Sequence, residues 1–100
     1  MGYKKKEYKF YVYIMVSISG VLYVGVTNNL IKRVWEHKND KADGFTKKYK
    51  CHKLVYYEFY QYVDNAINRE KQIKKWNRKK KEFLINKNNI FWNDLVIDWY

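Results

Sequence analysis

Arg33 and His37 stand four residues apart in "LYVGVTNNLIKRVWEHK", residues 22–38. On a helix, that spacing brings two side chains together. A guanidinium is a planar, permanently charged fork that suits phosphate oxygens, and an imidazole trades protons near neutral pH. The pair is either a solvated surface pair or the beginning of a phosphate site. The chain holds eighteen lysines but only three arginines, Arg33, Arg69 and Arg78. Arginine at those places is therefore informative, since lysine fills nearly every other basic position.

Glu70 is the second candidate. In "AINREKQIKKW", 66–76, an apolar stripe runs through Ala66, Ile67 and Ile73, and Glu70 falls in its middle. Carboxylates are rarely buried without a partner. Glu70 is the only acid among residues 65 to 81, a stretch crowded with cations. One reading is a buried salt bridge to a neighbouring lysine. The other is a ligand for a single hard cation, Mg²⁺ or Mn²⁺, whose shell water and phosphate would complete.

The elements that must carry these residues follow from their patterns. "FYVYIMVS", 10–17, and "VLYVGVT", 21–27, are dense in aromatic and β-branched residues and predict two strands joined through "SISG". Val12, Ile14, Val16, Leu22, Val24 and Val26 are all even-numbered. The odd positions hold Tyr11, Tyr13, Met15, Tyr23 and Gly25. Side chains alternate across a strand, so the even set predicts an aliphatic core face, and the odd face would present tyrosine hydroxyls and a bare glycine. Parity carries across the hairpin only if its loop is odd, and a three-residue loop with Gly20 at an unusual backbone angle satisfies that. Gly25 marks either a bulge or a close approach to the backbone.

A helix over 29–41 follows, with Thr27, Asn28 and Asn29 as candidate caps. Its helical arc collects Leu30, Ile31, Val34 and Trp35, with Arg33 and His37 along one edge. "ADGF", 42–45, breaks it, and "FTKKYKCHK" reads as a basic loop. "KLVYYEFYQ", 53–61, predicts a third strand. Asp64 would cap a helix from Asn65 to Asn77, with a further helix over 78–87. The expected fold class is α+β: a small three-stranded antiparallel sheet in ββαβα order, flanked by helices. One domain over 1–100 is expected, with a flexible basic N-terminus (1–8). The C-terminal segment (88–100) should pack on the core through Trp92, Leu95 and Val96.

The net charge of +11 on 100 residues points to a polyanionic partner, above all nucleic acid, with an acidic protein or a membrane surface as the other classes. A single cysteine, Cys51, allows no internal disulfide and suits a reducing cytoplasm. No segment has the length of a membrane span or the pattern of a signal peptide. There is no glycine-rich phosphate loop, zinc cluster or His-Glu-x-x-His motif. Cys51 and His52 are neighbours whose side chains should point apart, which argues against a Cys–His dyad.

Taken together, these residues resemble a GIY-YIG nuclease domain of the small stand-alone branch. Tyr11-Val12-Tyr13 stands in the place of Gly-Ile-Tyr, and Tyr23-Val24-Gly25 in that of Tyr-Ile-Gly. Arg33 and His37 match the family's helix pattern, and Glu70 its metal-binding glutamate. The chain departs in lacking the first motif's glycine and in placing Val26 after Gly25, where some larger members have lysine.

The resemblance implies a Mg²⁺-dependent endonuclease that hydrolyses DNA phosphodiesters with little sequence specificity, selective for structure as in repair or recombination. The alternative is a non-catalytic module for structured DNA or RNA on the same fold. The implied roles are Tyr13 in deprotonating the attacking water, Tyr23 in orienting water or phosphate, and His37 in the proton relay. Arg33 would stabilise phosphoryl charge, Glu70 would hold one metal ion, and Gly25 would let the helix and the substrate backbone approach the sheet. Asn77 or Asn86 would be the family's further asparagine. Lys32, Lys47, Lys48, Arg69, Lys74, Lys75, Arg78 and Lys79 are the expected nucleic-acid contacts. DNA is favoured over RNA, in a monomer that a partner protein could target.

Overall fold

The computed structural model describes residues 8–42 and 44–96. The basic N-terminus before residue 8, Asp43 and the last four residues of the expected C-terminal packing segment lie outside them. Three strands, β1 (Phe10–Val16), β2 (Leu22–Thr27) and β3 (Lys53–Tyr60), form an antiparallel sheet in the order β2-β1-β3. The helices are α1 (Leu30–Lys38), α2 (Gly44–Tyr49), α3 (Val63–Lys75) and α4 (Arg78–Asn86).

The hairpin follows from its alternation. Tyr13 pairs with Gly25, Ile14 with Val24 and Val16 with Leu22. Three residues, 18–20, close the loop, with Ser17 N–H donating to Val21 O at 3.0 Å and Gly20 at φ +92°. That left-handed angle is open to glycine at no steric cost. Even residues Val12, Ile14, Val16 and Val24 enter one core layer with Ala66 and Ile73 of α3 and Ile85 of α4. Odd residues Tyr13 and Met15 enter a second layer with Leu30 and Val34 of α1, Leu54 and Val96. A register shift between Ile14 and Met15 lets β3 serve both layers, with Val55 and Tyr56 in the first and Leu54 in the second.

Several expectations need correction. The odd face is not an open tyrosine surface, because α1 and the C-terminal segment cover Tyr13 and Met15 completely. The buried side of α1 is Leu30, Val34 and His37, whereas Ile31 and Trp35 are exposed. The basic loop after residue 44 contains α2, whose Phe45 and Tyr49 rings meet at 4.8 Å and whose Thr46 is buried. The order is thus ββααβαα. α3 begins at Val63, and Asp64 sits inside its first turn, where a carboxylate favours the helix dipole. Asn77 instead caps α4, accepting from Lys80 N–H at 2.9 Å.

The described part of the C-terminal segment, up to Val96, lies against the core. Val96 is buried, and Leu95 and Trp92 lie against the core layers. Asn89 holds this segment, donating to Val55 O at 3.0 Å and Asn93 O at 2.9 Å.

Candidate active site

β1 and β2 present Tyr13 and Tyr23 to the same layer, with ring centroids 6.2 Å apart. His37 comes from the last turn of α1 and lies 5.5 Å from the Tyr13 ring and 5.3 Å from Tyr23. The Tyr13 hydroxyl and His37 Nε2 share a buried hydrogen bond of 2.7 Å. A histidine turns inward here because that hydroxyl satisfies a ring nitrogen that burial would otherwise strand. Tyr13 and His37 are fully enclosed, while Tyr23 is half-buried. Phe45 of α2 lies across Tyr23 at 5.9 Å. Phe45 was not among the sequence candidates, and its only signal was the i, i+4 aromatic pair with Tyr49.

Gly25 owes its identity to Tyr13. A Cβ at residue 25 would stand 2.5 Å from both Cζ and Oη of the Tyr13 ring. The pairing of β1 with β2 runs unbroken through Gly25, so there is no bulge there. What approaches the backbone there is the ring of its cross-strand partner.

Arg33 takes a separate place on α1. It is 42% exposed, and its Nε bonds Glu36 Oε1 at 3.1 Å. With Thr27, Asn28, Asn29, Lys32 and Glu36 it lines a polar cleft of about 180 Å³. Glu70, from α3, is 14% exposed and accepts an ion pair from Lys74 at 2.9 Å. Its stripe neighbours Ala66 and Ile73 belong to the even layer. Tyr13, Tyr23 and His37 are thus gathered by ring contacts and one hydrogen bond, whereas Arg33 and Glu70 stand in their own ion pairs. Among the described residues, no group of three or more His, Cys, Asp or Glu side chains could hold a metal.

A model of the GIY-YIG catalytic domain matches residues 9–83. The chain belongs to the GIY-YIG family. Among its relatives, the UPF0213 protein of Clostridium perfringens is 41% identical over 80 residues, 80% of this chain and 86% of that one. The UPF0213 protein of Bacillus pumilus is 32% identical over 80 residues, 80% of this chain and 82% of that one. The solution NMR structure of the UPF0213 protein BH0048 from Bacillus halodurans shares the fold, with a TM-score of 0.57, 24% identity and coverage of 90% and 97%. The GIY-YIG family supports a nuclease role and a nucleic-acid substrate. No helix among the described residues is long and apolar enough to cross a membrane.

The basic residues of this GIY-YIG chain divide by what they touch. Lys32, Lys47, Lys48, Lys75 and Lys79 are exposed. Lys48 Nζ lies 5.3 Å from the Tyr49 ring centroid. Lys74 is committed to Glu70. Arg78 braces the hairpin, bonding Glu82 at 2.8 Å and donating to Gly20 O. Asn86 accepts from Trp92 Nε1 at 2.6 Å, so it and Asn77 both have structural partners.

Arg69 is turned inward. It donates to Glu58 Oε1 at 2.7 Å and to Gln72 Oε1 at 2.8 Å, and it stacks 5.0 Å from Trp76. Tyr60, at 2.8 Å, and Tyr56 donate to the same Glu58 carboxylate. Burial pushes the Glu58 pKa up, but the hydrogen bonds from Tyr56, Arg69 and Tyr60 prevail and hold it below its ordinary value. Burial and then the Glu58 charge push the Tyr56 phenol up. Tyr56, Glu58 and Tyr60 stand at i, i+2 and i+4 on β3, but the sequence did not show that Arg69 of α3 completes the cluster.

Proposed function

We propose that this protein is a divalent-metal-dependent endonuclease that hydrolyses DNA phosphodiesters with little sequence specificity and selects its substrate by structure. The observation that carries the reading is the 2.7 Å bond between Tyr13 Oη and His37 Nε2. A phenol alone is a poor base at neutral pH, its ordinary pKa being about 10. Coupled to an imidazole, it can take a proton from water while its own proton passes to His37 Nε2. Water would reach Tyr13 past the half-buried Tyr23, which orients it against the phosphate. Arg33 and Lys32, both lining the polar cleft, would bind phosphate oxygens once the Arg33–Glu36 pair opens.

Glu70 fits a one-carboxylate site for Mg²⁺ or Mn²⁺. It is a mostly buried carboxylate whose partner, Lys74, is itself 52% exposed and free to swing away. Such a cation keeps several waters and takes only one or two protein carboxylates. When bound it would supply Lewis-acid charge to the scissile phosphate and its leaving oxygen. The product would carry a 5′-phosphate. We place the protein in the cytoplasm, where a reduced, buried Cys51 is at home, as a monomer with DNA preferred over RNA.

One observation favours a second reading, a nucleic-acid-binding module without catalysis: Tyr13 is fully enclosed and Glu70 is already paired. Incubation of the protein with branched, single-stranded and duplex DNA, with Mg²⁺ or with excess chelator, decides between them. Cleavage of any substrate in Mg²⁺ that chelator abolishes supports the enzyme. Binding without cleavage supports the module.

A further inference from the structure

Beside the polar cleft lies a second one of different chemistry. It has a volume of about 320 Å³ and is lined chiefly by Tyr11, Leu30, Ile31 and Tyr57, with Lys9 at the rim. Asn28 and Asn29 line both clefts, so the two adjoin. Tyr57 and Ile31 are 41% and 56% exposed, a large apolar opening for a chain this charged. Tyr11 meets the Tyr57 ring edge-on at 6.2 Å, which fixes the aromatic wall. The groove lies on the odd side of the sheet, where Tyr11 is two residues from Tyr13 along β1.

We propose that this groove seats an unpaired nucleobase of the nucleic acid whose phosphate occupies the neighbouring Arg33 cleft. The inference rests on the nucleic-acid reading above and adds the kind of substrate. A base inside a duplex is already stacked and cannot enter a side groove, whereas a base of a single strand or a flap can. Aromatic walls take any base, because every base offers a π-face. The volume falls at the lower end of small-ligand clefts, about 300–1,000 Å³. The charge is complementary: Lys9 on one side and Lys32 and Arg33 on the other flank an apolar floor, as a base between two phosphates requires.

The test uses the full chain in excess chelator, so that cleavage plays no part. The probes are a 12-nucleotide single strand carrying one 2-aminopurine and a blunt duplex of the same sequence. Wild-type protein should bind the single strand more tightly than the duplex and quench its 2-aminopurine by stacking. Tyr57→Leu keeps apolar bulk but removes the π-face. It should weaken single-strand binding roughly tenfold to a hundredfold and abolish the quench, leaving duplex binding unchanged. Tyr57→Trp should restore both. Phe83→Ala, which removes an exposed ring on α4 outside the groove, should change neither.

Equal losses on single strand and duplex, or no loss on either, would overturn the proposal while leaving the nuclease reading standing. Wild-type protein that binds neither probe would overturn both. A concentration-dependent dimer that Tyr57→Leu abolishes, with DNA binding unchanged, would assign the groove to a second copy and overturn it too.

Discussion

The two faces of the sheet are packed to different ends. The even face is closed by Val12, Ile14, Val16 and Val24 against α3 and α4, and its polar group of note, Glu58, is saturated by Tyr56, Tyr60 and Arg69. The odd face is closed around Tyr13 and Met15, and it encloses a phenol and an imidazole that share one hydrogen bond. Both arrangements satisfy buried polar atoms. The difference is in what they can release. The Glu58 cluster ties β3 to α3 with a charge that its partners stabilise, so moving a proton there would cost folding energy. In the Tyr13–His37 pair, a proton passed from the phenol to Nε2 is replaced by one from water, so the phenol stays neutral and only the imidazole gains charge. The Glu58 cluster is thus built for stability, whereas the Tyr13–His37 pair is poised for chemistry.

Substitutions on the two faces should therefore separate activity from stability. The largest effect is expected for Tyr13→Phe. It keeps the ring and loses the hydroxyl, so cleavage should fall by about 10²–10⁴, the range of general acid–base catalysis. Stability should fall by only about 1–3 kcal/mol, the cost of one unmade buried hydrogen bond. Initial cleavage rates and urea melts on the same preparation check this. Equal rates for parent and variant would remove the relay.

Gly25→Ala comes next. Its Cβ would force the Tyr13 ring to move, at a cost of about 1–3 kcal/mol for overpacking. The melting temperature should drop by about 4–8 °C per kcal/mol. The hydroxyl would also leave His37, so cleavage should fall as well. A variant with parental melting and parental cleavage would show that the close approach has no consequence.

Glu58→Ala should do the reverse. Removing a carboxylate that is 18% exposed and paired with Arg69 should cost about 2 kcal/mol, between the values for exposed and buried pairs. Cleavage per folded molecule should be unchanged. A large catalytic loss at full folding would break the division between the faces.

The smallest effect is in the pH dependence. The folded pKa of Glu58 lies below its unfolded value, so its contribution is fully present above the unfolded pKa, about 4.3. It is lost as pH falls through the depressed folded value. The stability gap between the parent and Glu58→Gln should therefore be constant near neutrality and shrink below about pH 4. Denaturation curves across pH 3–7 test the sign, and a gap that widens in acid would contradict it.

Which parts of this were legible in the sequence follows from the range of the interactions. The hairpin could be read in full, because alternation and loop parity are local: Tyr13 and Tyr23 share a face, and Gly20 turns the chain. Arg33 and Glu70 could be singled out because their types were out of place among lysines and in an apolar stripe. The inward turn of His37 was hidden, since a helical arc drawn from apolar residues favours Trp35 and leaves a histidine at its edge. The Tyr13 hydroxyl, on the strand beneath α1, gives His37 a buried partner that the helix pattern does not show. α2 was hidden for a similar reason: a short basic segment becomes helical through Phe45 packing on Tyr23. Arg69 read as a phosphate contact because Glu58 is eleven residues away on another element.

The metal role of Glu70 is the central claim, because it separates a metal-dependent enzyme from a binding module. Glu70→Gln keeps the shape and removes the charge that would hold the cation. Its cleavage of DNA in Mg²⁺, measured beside its melting temperature, is the most direct test. The account predicts cleavage lower by orders of magnitude, melting within a few degrees of the parent, and DNA binding equal or tighter, since a negative charge has left a surface facing phosphates. A variant that cleaves as the parent does, or a parent that cleaves equally well in excess chelator, would contradict it.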